Sequence, residues 1–573
     1  MSAVLRARPV GVTTTEQNAI DQAIEAGAEL HRRGLLDDAE RLYRGILKLA
    51  PQHFDATHLL GVVHQQRGNS DEALKLIGAA IELNAASADA YANHGKVLLQ
   101  IRRFDEALAS LDRAIALVPD HPQALINRAA ICIEQKRYAD AMKDATHVLE
   151  KDPQSYEGWT KRGNVMVGVG EREKALDSFD KALAIKPDHI EALNNRGCLF
   201  SDLERTEEGL ACYNRVLEIN PRHAEAWINR GHMLVELHRE EEGIESYLKA
   251  REVEPHHVEA LYNEAINRLR LGDFRIGWEQ NELRWHRKDF IHTQRNYPLP
   301  RWDGGAVDGP LLVSGEQGLG DQILYASMLP DILKRTSQVV VEVEPRLVTL
   351  FARSFPEVAF VSREAALYTG PAVAQVHMAS LGRFFRQDWQ SFKHYPNGFL
   401  RPDPVRDAQL RGRLIEGREK IVGLSWTSKN PLYELSKSAR LHDFAPILRL
   451  PNCRFVDLQY GDTRPDREAV AVDLGVTVER MPDVDNTNDI DGLAALITAC
   501  DVVVTTSNTT AHLAGALGKE TYVLVPSGRG RMWYWFRGRE DSPFYPRMHL
   551  RRQRPKQHWT ELAGQIAAEI AAR

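Results

Sequence analysis

A spacing of 34 residues runs through the first half of the chain and restricts its fold more than any other feature. Prolines stand at Pro51, Pro119, Pro153, Pro187, Pro221 and Pro255, with Ala85 on the remaining rung. Small residues recur in one register at Gly27, Gly61, Gly95, Ala129, Gly163, Gly197, Gly231 and Ala265, and in another from Ala39 to Gly277. Four positions after that second set come Tyr43, Ile77, Leu111, Ala145, Phe179, Tyr213 and Tyr247. Small residues let two helices approach closely, and a large one fills the space beside them. Proline cannot continue a helix interior and so marks the passage from one helix pair to the next.

This is the pattern of tetratricopeptide (TPR) repeats, two antiparallel helices per 34 residues stacked into a superhelix. About eight repeats are expected over residues 20–291, starting near 20, 54, 88, 122, 156, 190, 224 and 258, after a flexible segment 1–19. Such an array offers a concave surface. Position 6 of each first helix should face it, and reads Leu59, Asn93, Asn127, Lys161, Asn195, Asn229 and Asn263. An amide side chain donates and accepts, so Asn93, Asn127, Asn195, Asn229 and Asn263 could grip an extended acceptor peptide through its backbone. Asparagine could equally be a common residue of such repeats. A protein partner fits the mixed charge of the surrounding positions.

The rest of the composition excludes several classes. The chain has 573 residues, 43% hydrophobic and 27% charged, with a net charge of −6. That balance argues against nucleic acid as partner. No apolar run approaches the roughly 18 to 20 residues of a membrane helix, and MSAVLRARPVGVTTTEQ lacks a signal-peptide apolar core. Five scattered cysteines make neither a disulfide framework nor a zinc site. The expectation is a cytoplasmic protein with no metal and no membrane insertion, and homo-oligomerisation stays open.

From residue 292 the character changes. Two prolines and a Gly-Gly pair mark an extended linker over 292–310. Beyond it, short apolar runs alternate with helical stretches: 311–314, 339–343 and 358–361, then 421–426, 455–458, 501–505 and 521–525. These predict parallel strands covered on both faces, in two Rossmann-like halves at 311–405 and 420–573. Ligands of such sheets lie at the carboxyl ends of strands. Two loops fall there. Gly315-Glu316-Gln317-Gly318-Leu319-Gly320-Asp321 precedes a helix expected over 322–334. It is neither a dinucleotide fingerprint nor a P-loop, yet Gly318 and Gly320 permit close approach to a ligand. Asp321 could cap the helix, or cap it and act as a general base. The second loop, Ser507-Asn508-Thr509-Thr510-Ala511-His512, opens a helix whose hydroxyls and free N–H groups could hold a phosphate or simply cap. His512 could contact phosphate or sugar. Arg529 and Arg531 could bind carboxylate or phosphate, or form a surface between parts of the chain. Trp533, Tyr534 and Trp535 read as core or cleft packing, with base stacking the alternative.

The glycine loop 315–321, the run Ala511-His512-Leu513-Ala514-Gly515-Ala516-Leu517-Gly518-Lys519 and Arg539-Glu540-Asp541-Ser542-Pro543-Phe544-Tyr545-Pro546 resemble bacterial TPR–glycosyltransferase proteins. The second half is similar to ADP-heptose heptosyltransferases, which have the GT-B fold, and the TPR-plus-GT-B plan resembles O-GlcNAc transferases. The nearest resemblance is to the FlmG-type, flagellin-modifying transferases of stalked alphaproteobacteria. It implies that the repeats recruit flagellin and that a nonulosonic acid, such as pseudaminic acid, passes from a CMP-activated donor to Ser or Thr. No cofactor or metal is implied. Asp321 matches the family's candidate general base, and Lys429, after Trp426, falls near its phosphate-binding lysine. Trp426, Ser507, Asn508, Thr509 and Thr510 fall in the implied donor site. Where the family has Asp-Thr, this chain has Ser507-Asn508, and the missing carboxylate suits a sugar that carries its own. An adaptor with an inactive transferase half, and a lipopolysaccharide or glycan transferase, are the alternative readings.

Overall fold

The computed structural model describes residues 14–288, 290, 293–364, 366–393, 395–415, 419–428 and 434–573. Among them, sixteen helices run from Thr14–Arg32 to Phe274–Asn281. The first helices of successive repeats are Phe54–Gln66, Ala88–Gln100, Pro122–Glu134, Tyr156–Gly168, Ile190–Asp202, Ala224–Glu236 and Val258–Leu271. Their starts keep the 34-residue period. Helix Thr14–Arg32 begins ahead of residue 20. The small-residue ladder has the expected cause. A Cβ on Gly61, Gly163 or Gly231 would lie 2.6, 2.5 and 2.5 Å from the side chains of Ile77, Phe179 and Tyr247. At these rungs glycine lets the second helix of the pair press its large residue onto the first. Several first helices are capped by histidine: His53, His121 and His223 accept the N–H three residues on.

The chain divides into two compact units, one ending at Pro221 and one spanning Arg222–Arg573. The first unit consists of repeats. The second begins with helices Ala224–Glu236, Glu240–Val253, Val258–Leu271 and Phe274–Asn281 and continues into an α/β fold. That fold has ten strands: β1 (Leu311–Ser314), β2 (Val339–Val343), β3 (Ala359–Ser362), β4 (Ala374–His377), β5 (Lys420–Ser425), β6 (Cys453–Asp457), β7 (Val478–Glu479), β8 (Val502–Thr506), β9 (Glu520–Val525) and β10 (Met548–Arg552). They form two wholly parallel sheets, ordered β3-β2-β1-β4 and β10-β9-β8-β5-β6-β7. The fold is therefore TPR helices followed by two Rossmann-like α/β halves. Strands β4, β7 and β10 are absent from the sequence reading: β7 has two residues, β4 is short with Gln and His among its four, and β10 carries His549, Arg551 and Arg552. The helix expected over 322–334 is two pieces, Leu319–Ala326 and Leu329–Ile332, because Pro330 requires a new start.

The stretch after the last repeat is fixed to the first sheet. The Tyr297 hydroxyl donates to Glu342 on β2 at 2.8 Å, and the Trp302 N–H donates to the Gln375 carbonyl on β4 at 2.8 Å. Trp278, in the last repeat, lies in the same apolar core as β1 and β2. Its indole N–H donates to the Arg386 carbonyl at 2.9 Å. A Cβ on Gly382 would lie 2.3 Å from the indole, so the ring sits directly on that backbone. Trp278→Ala should lower the stability of the second unit by about 3–5 kcal/mol, read as an earlier denaturant midpoint for the unfolding of the α/β halves.

Candidate functional site

The glycine-rich loop leaves the carboxyl end of β1 and is fixed from outside its own sheet. Gly315 must be glycine, because a Cβ there would stand 2.7 Å from the Glu342 carbonyl. Glu316 is buried, and both its oxygens accept from Arg284, at 2.8 and 2.9 Å. Arg284 is 0% exposed and lies in a turn of 3-10 helix, Glu282–His286, just after the last repeat. It also donates to Glu282 and to the Ser380 hydroxyl. Glu316 accepts the Ala379 N–H at 2.9 Å as well. A buried ion pair is tolerated when its remaining donors and acceptors are met in this way. Gln317 then takes a positive φ of 60°, a left-handed turn held by its surroundings.

Past this turn, Asp321 stands at the third position of helix Leu319–Ala326 and accepts the Gly318 N–H at 3.1 Å. Gly318 is the N-cap, so Asp321 closes the cap rather than being it. Burial pushes the Asp321 carboxyl up to about 6; the Gly318 N–H and Lys437 oppose the shift, and Glu316 adds to it. Lys437 ends the short helix Glu434–Lys437 that follows β5. It is 5% exposed, and burial pulls its ammonium down to about 8 against the attraction of Asp321. The loop after β9 covers it: a Cβ on Gly530 would lie 2.5 Å from Lys437 Cγ.

His512 comes from the helix after β8. A Cβ on Gly320 would lie 2.8 Å from its ring, so the two loops singled out in the sequence meet here. His512 Nδ1 is 2.8 Å from the Tyr545 hydroxyl, and the ring stacks on Trp535 at 5.2 Å. Burial, reinforced by Lys437, holds its pKa down at about 3. The imidazole thus packs among aromatic side chains and shares a hydrogen bond with Tyr545. Tyr325, Tyr534 and Tyr545 feel the Asp321 charge, and burial raises all three phenols. Asp321, Lys437 and His512 thus follow the carboxyl ends of β1, β5 and β8, where open parallel sheets bind ligands.

Other expected ligand groups are engaged within the protein. Asn508 caps its helix by accepting the Ala511 N–H at 3.3 Å, and its amide donates to Ser425 and to the Thr427 carbonyl. The Ser507 hydroxyl accepts the Trp535 indole N–H at 2.8 Å. Thr510 is buried and Thr509 half-buried. Trp426 is 0% exposed in the core of the second sheet, its indole donating to Asp466 at 2.9 Å. Trp426 therefore packs the core instead of lining a donor site. Arg529 pairs with Glu236 at 3.0 Å and Arg531 with Glu240 at 2.9 Å, both on the last repeats. These arginines join parts of the chain, the second of the two roles their sequence allows. Lys429 lies outside the described residues. Lys437 is the site residue the sequence reading missed, and only its place after the β5 strand signalled it.

In the repeats, the asparagine ladder largely bonds to neighbouring repeats. The Asn93 amide meets His58 at 3.0 Å, Asn195 donates to Asn164 at 2.8 Å, and Asn263 meets His232 at 2.6 Å. Asn127 is buried and its amide nitrogen has no hydrogen-bond partner among the described residues. Asn229 is half-buried. A cleft of about 310 Å³ opens beside them, lined in part by Phe104, Ile133, Lys161, Asn164 and Glu191. Lys161, on the ladder, is ion-paired with Glu191 at 2.6 Å.

Comparison with known proteins agrees with the first part of this architecture. Tetratricopeptide-repeat families match residues 92–156, 190–223 and 224–257. The family of anaphase-promoting complex, cyclosome, subunit 3 matches residues 32–114. The chain is a TPR-containing protein, and arrays of this type present protein-binding surfaces. Protein FlbA of Caulobacter vibrioides is 31% identical over 321 residues, covering 53% of each protein. The chain thus spans about half the length of the curated relative it matches. Similar solved structures include a tetratricopeptide repeat protein from Parabacteroides merdae, 17% identical, covering 44% of this chain and 99% of that one, with a TM-score of 0.37. The Cut9–Hcn1 hetero-tetramer of the APC/C is 15% identical over 46% of this chain and 52% of that one, with a TM-score of 0.40. Among the described residues, no helix is long and apolar enough to cross a membrane.

Two outcomes follow from this geometry. Removing one partner of the Arg284–Glu316 pair, as in Arg284→Met, should cost about 3–5 kcal/mol, and Arg284→Met with Glu316→Leu should recover much of it; chemical denaturation measures both. Burial raises Asp321 above its unfolded value, so its contribution to stability is full below about pH 4 and is lost as pH rises through about 6. Asp321→Asn should therefore raise the melting temperature at pH 8 and leave it nearly unchanged at pH 4.

Proposed function

We propose that the chain is a protein O-glycosyltransferase of the GT-B type. The observation that carries this reading is the convergence of Asp321 and Lys437 at the carboxyl ends of strands from two separate parallel sheets. A carboxylate tuned upward suits a general base for a hydroxyl acceptor. Lys437 is placed to hold the phosphate of a departing nucleotide, with no change in its own charge. His512 orients the helix opposite Gly320 and excludes water with its aromatic neighbours. In the step itself, the acceptor oxygen bonds to the anomeric carbon, Asp321 takes the hydroxyl proton, and the sugar–phosphate bond breaks toward Lys437. The repeats hold the acceptor protein. The resemblance drawn from the sequence supplies the finer terms: flagellin as acceptor, a CMP-linked nonulosonic acid as donor, and the cytoplasm as the place.

A protein-binding adaptor is the second reading, favoured by the engagement of Ser507 and Asn508 within the fold. Transfer assays with a CMP-linked nonulosonic acid and flagellin, beside nucleotide-binding titrations, separate the two. Asp321→Asn should reduce turnover about 100-fold or more while CMP still binds, and Lys437→Gln should weaken CMP binding. The pH profile of kcat/KM should rise through about 6 and fall through about 8, as the carboxylate forms and the ammonium is lost. Undiminished turnover in Asp321→Asn would remove the base, and no binding of any nucleotide would leave the adaptor. Transfer to a glycan but not to protein would redirect the acceptor.

A further inference from the structure

A second, smaller cavity lies in the second unit, where the last repeats meet the carboxyl ends of β9 and β10. Its volume is about 70 Å³, several times the roughly 10–15 Å³ that one water needs. Its walls carry Arg270, Arg531, Arg537, Arg552 and His238, closed on one side by Phe536. None of these residues belongs to the Asp321 cleft.

The charge around this cavity is out of balance. Arg270 is 9% exposed, and among the described residues neither it nor Arg552 is ion-paired. Arg270 spends one nitrogen on Asn267 at 2.7 Å and another on the Arg531 carbonyl at 2.9 Å. Its Nε is buried with no hydrogen-bond partner among the described residues. Arg552 donates to the carbonyls of Trp535, Phe536 and Arg539. The buried carboxylate in reach is Glu240, and it is already paired with Arg531 and Arg537. Carbonyls satisfy hydrogen bonds but do not neutralise charge. Arg270 is buried, the Arg531 side chain is 9% exposed and Arg552 is half-buried beside this one buried carboxylate, whereas Arg537 is partly exposed and also pairs with Glu241. Buried guanidiniums in excess of carboxylate are costly unless an anion joins them. The strain shows in their acidity: burial and mutual repulsion pull Arg270 and Arg552 each down to about 10.

We propose that this cavity binds a phosphate-type oxyanion, held by the guanidiniums of Arg270 and Arg552, with Arg531 beside them engaged by Glu240, His238 and the Gly528 and Val235 carbonyls. Guanidinium meets tetrahedral oxyanions through paired N–H donors, and the ends of parallel strands are a usual place for such a ligand. The assignment is independent of the transferase reading, since it uses none of the residues of that reaction. The anion would tie the last repeat, through Arg270, to the loop after β9 and the end of β10.

The test is a thermal-shift titration of the full chain with inorganic phosphate and, separately, with CMP, against chloride at matched ionic strength. Phosphate should raise the melting temperature of the second unit by about 2 °C or more, and Arg270→Gln and Arg552→Gln should each abolish the rise. A rise with CMP equal to or larger than that with phosphate, lost in the same variants, would identify a nucleotide phosphate as the source. Lys437→Gln should keep the phosphate response. Should either arginine variant fail to fold, crystals of the unmodified protein grown with phosphate should show a tetrahedral anion in this cavity. No phosphate response, a response that survives both arginine changes, or one lost in Lys437→Gln alone would overturn the proposal.

Discussion

The bidentate pair between Arg284 and Glu316 is the interaction on which the candidate site depends. It is fully buried, and its two residues come from different architectures: one from the turn that ends the repeats, the other from the loop that ends β1. Without Arg284, Glu316 would be an uncompensated carboxylate in the core, and the loop would have to leave. Gln317, Gly318 and Asp321 follow it directly in the chain. The left-handed turn at Gln317 and the cap formed by Asp321 are therefore downstream of one ion pair supplied by the repeats. The group that positions the Asp321 loop thus lies in the 3-10 turn that follows the last repeat, outside the sheet the loop leaves.

The electrostatics of the cleft follow from burial more than from any single partner. Asp321 and Lys437 are each moved toward neutrality by desolvation and each held back by the other's charge. Lys437 in turn helps to keep His512 uncharged. One cation thus favours the ionised form of Asp321 and adds to the burial that keeps His512 uncharged. Burial also raises the phenols of Tyr325, Tyr534 and Tyr545, which feel the Asp321 charge.

Much of this fold could be read from residue spacing. The 34-residue period gives the starts of successive first helices, because each glycine rung answers to a large residue sixteen positions later, as Gly163 does to Phe179. Continuous apolar runs gave seven of the strands. The short strands β4, β7 and β10 are defined by pairing with distant neighbours, which no local pattern records. The site was legible where a loop follows a strong strand, as with Asp321 and His512. It was not legible where burial decides the role. Trp426 carries an amphipathic ring that suits a ligand or a core equally well, and its contact with Asp466 settles the matter. Arg529 and Arg531 meet acids almost 300 positions earlier in the chain. Lys437 sits in a polar stretch with no motif to mark it.

The apolar core that contains β1 and β2 also contains Leu269, Phe274 and Trp278 from the last repeat. The covalent seam between repeats and α/β halves, near residue 292, is therefore not a physical seam. A protein shortened to begin there would present the socket of Trp278, backed by Gly382, to water, and would lose Arg284 as well. Exchange of repeat arrays among related chains meets the same obstacle. The first compact unit ends near Pro221, well before that seam. The last two repeats belong to the same compact unit as the α/β fold and form part of its foundation.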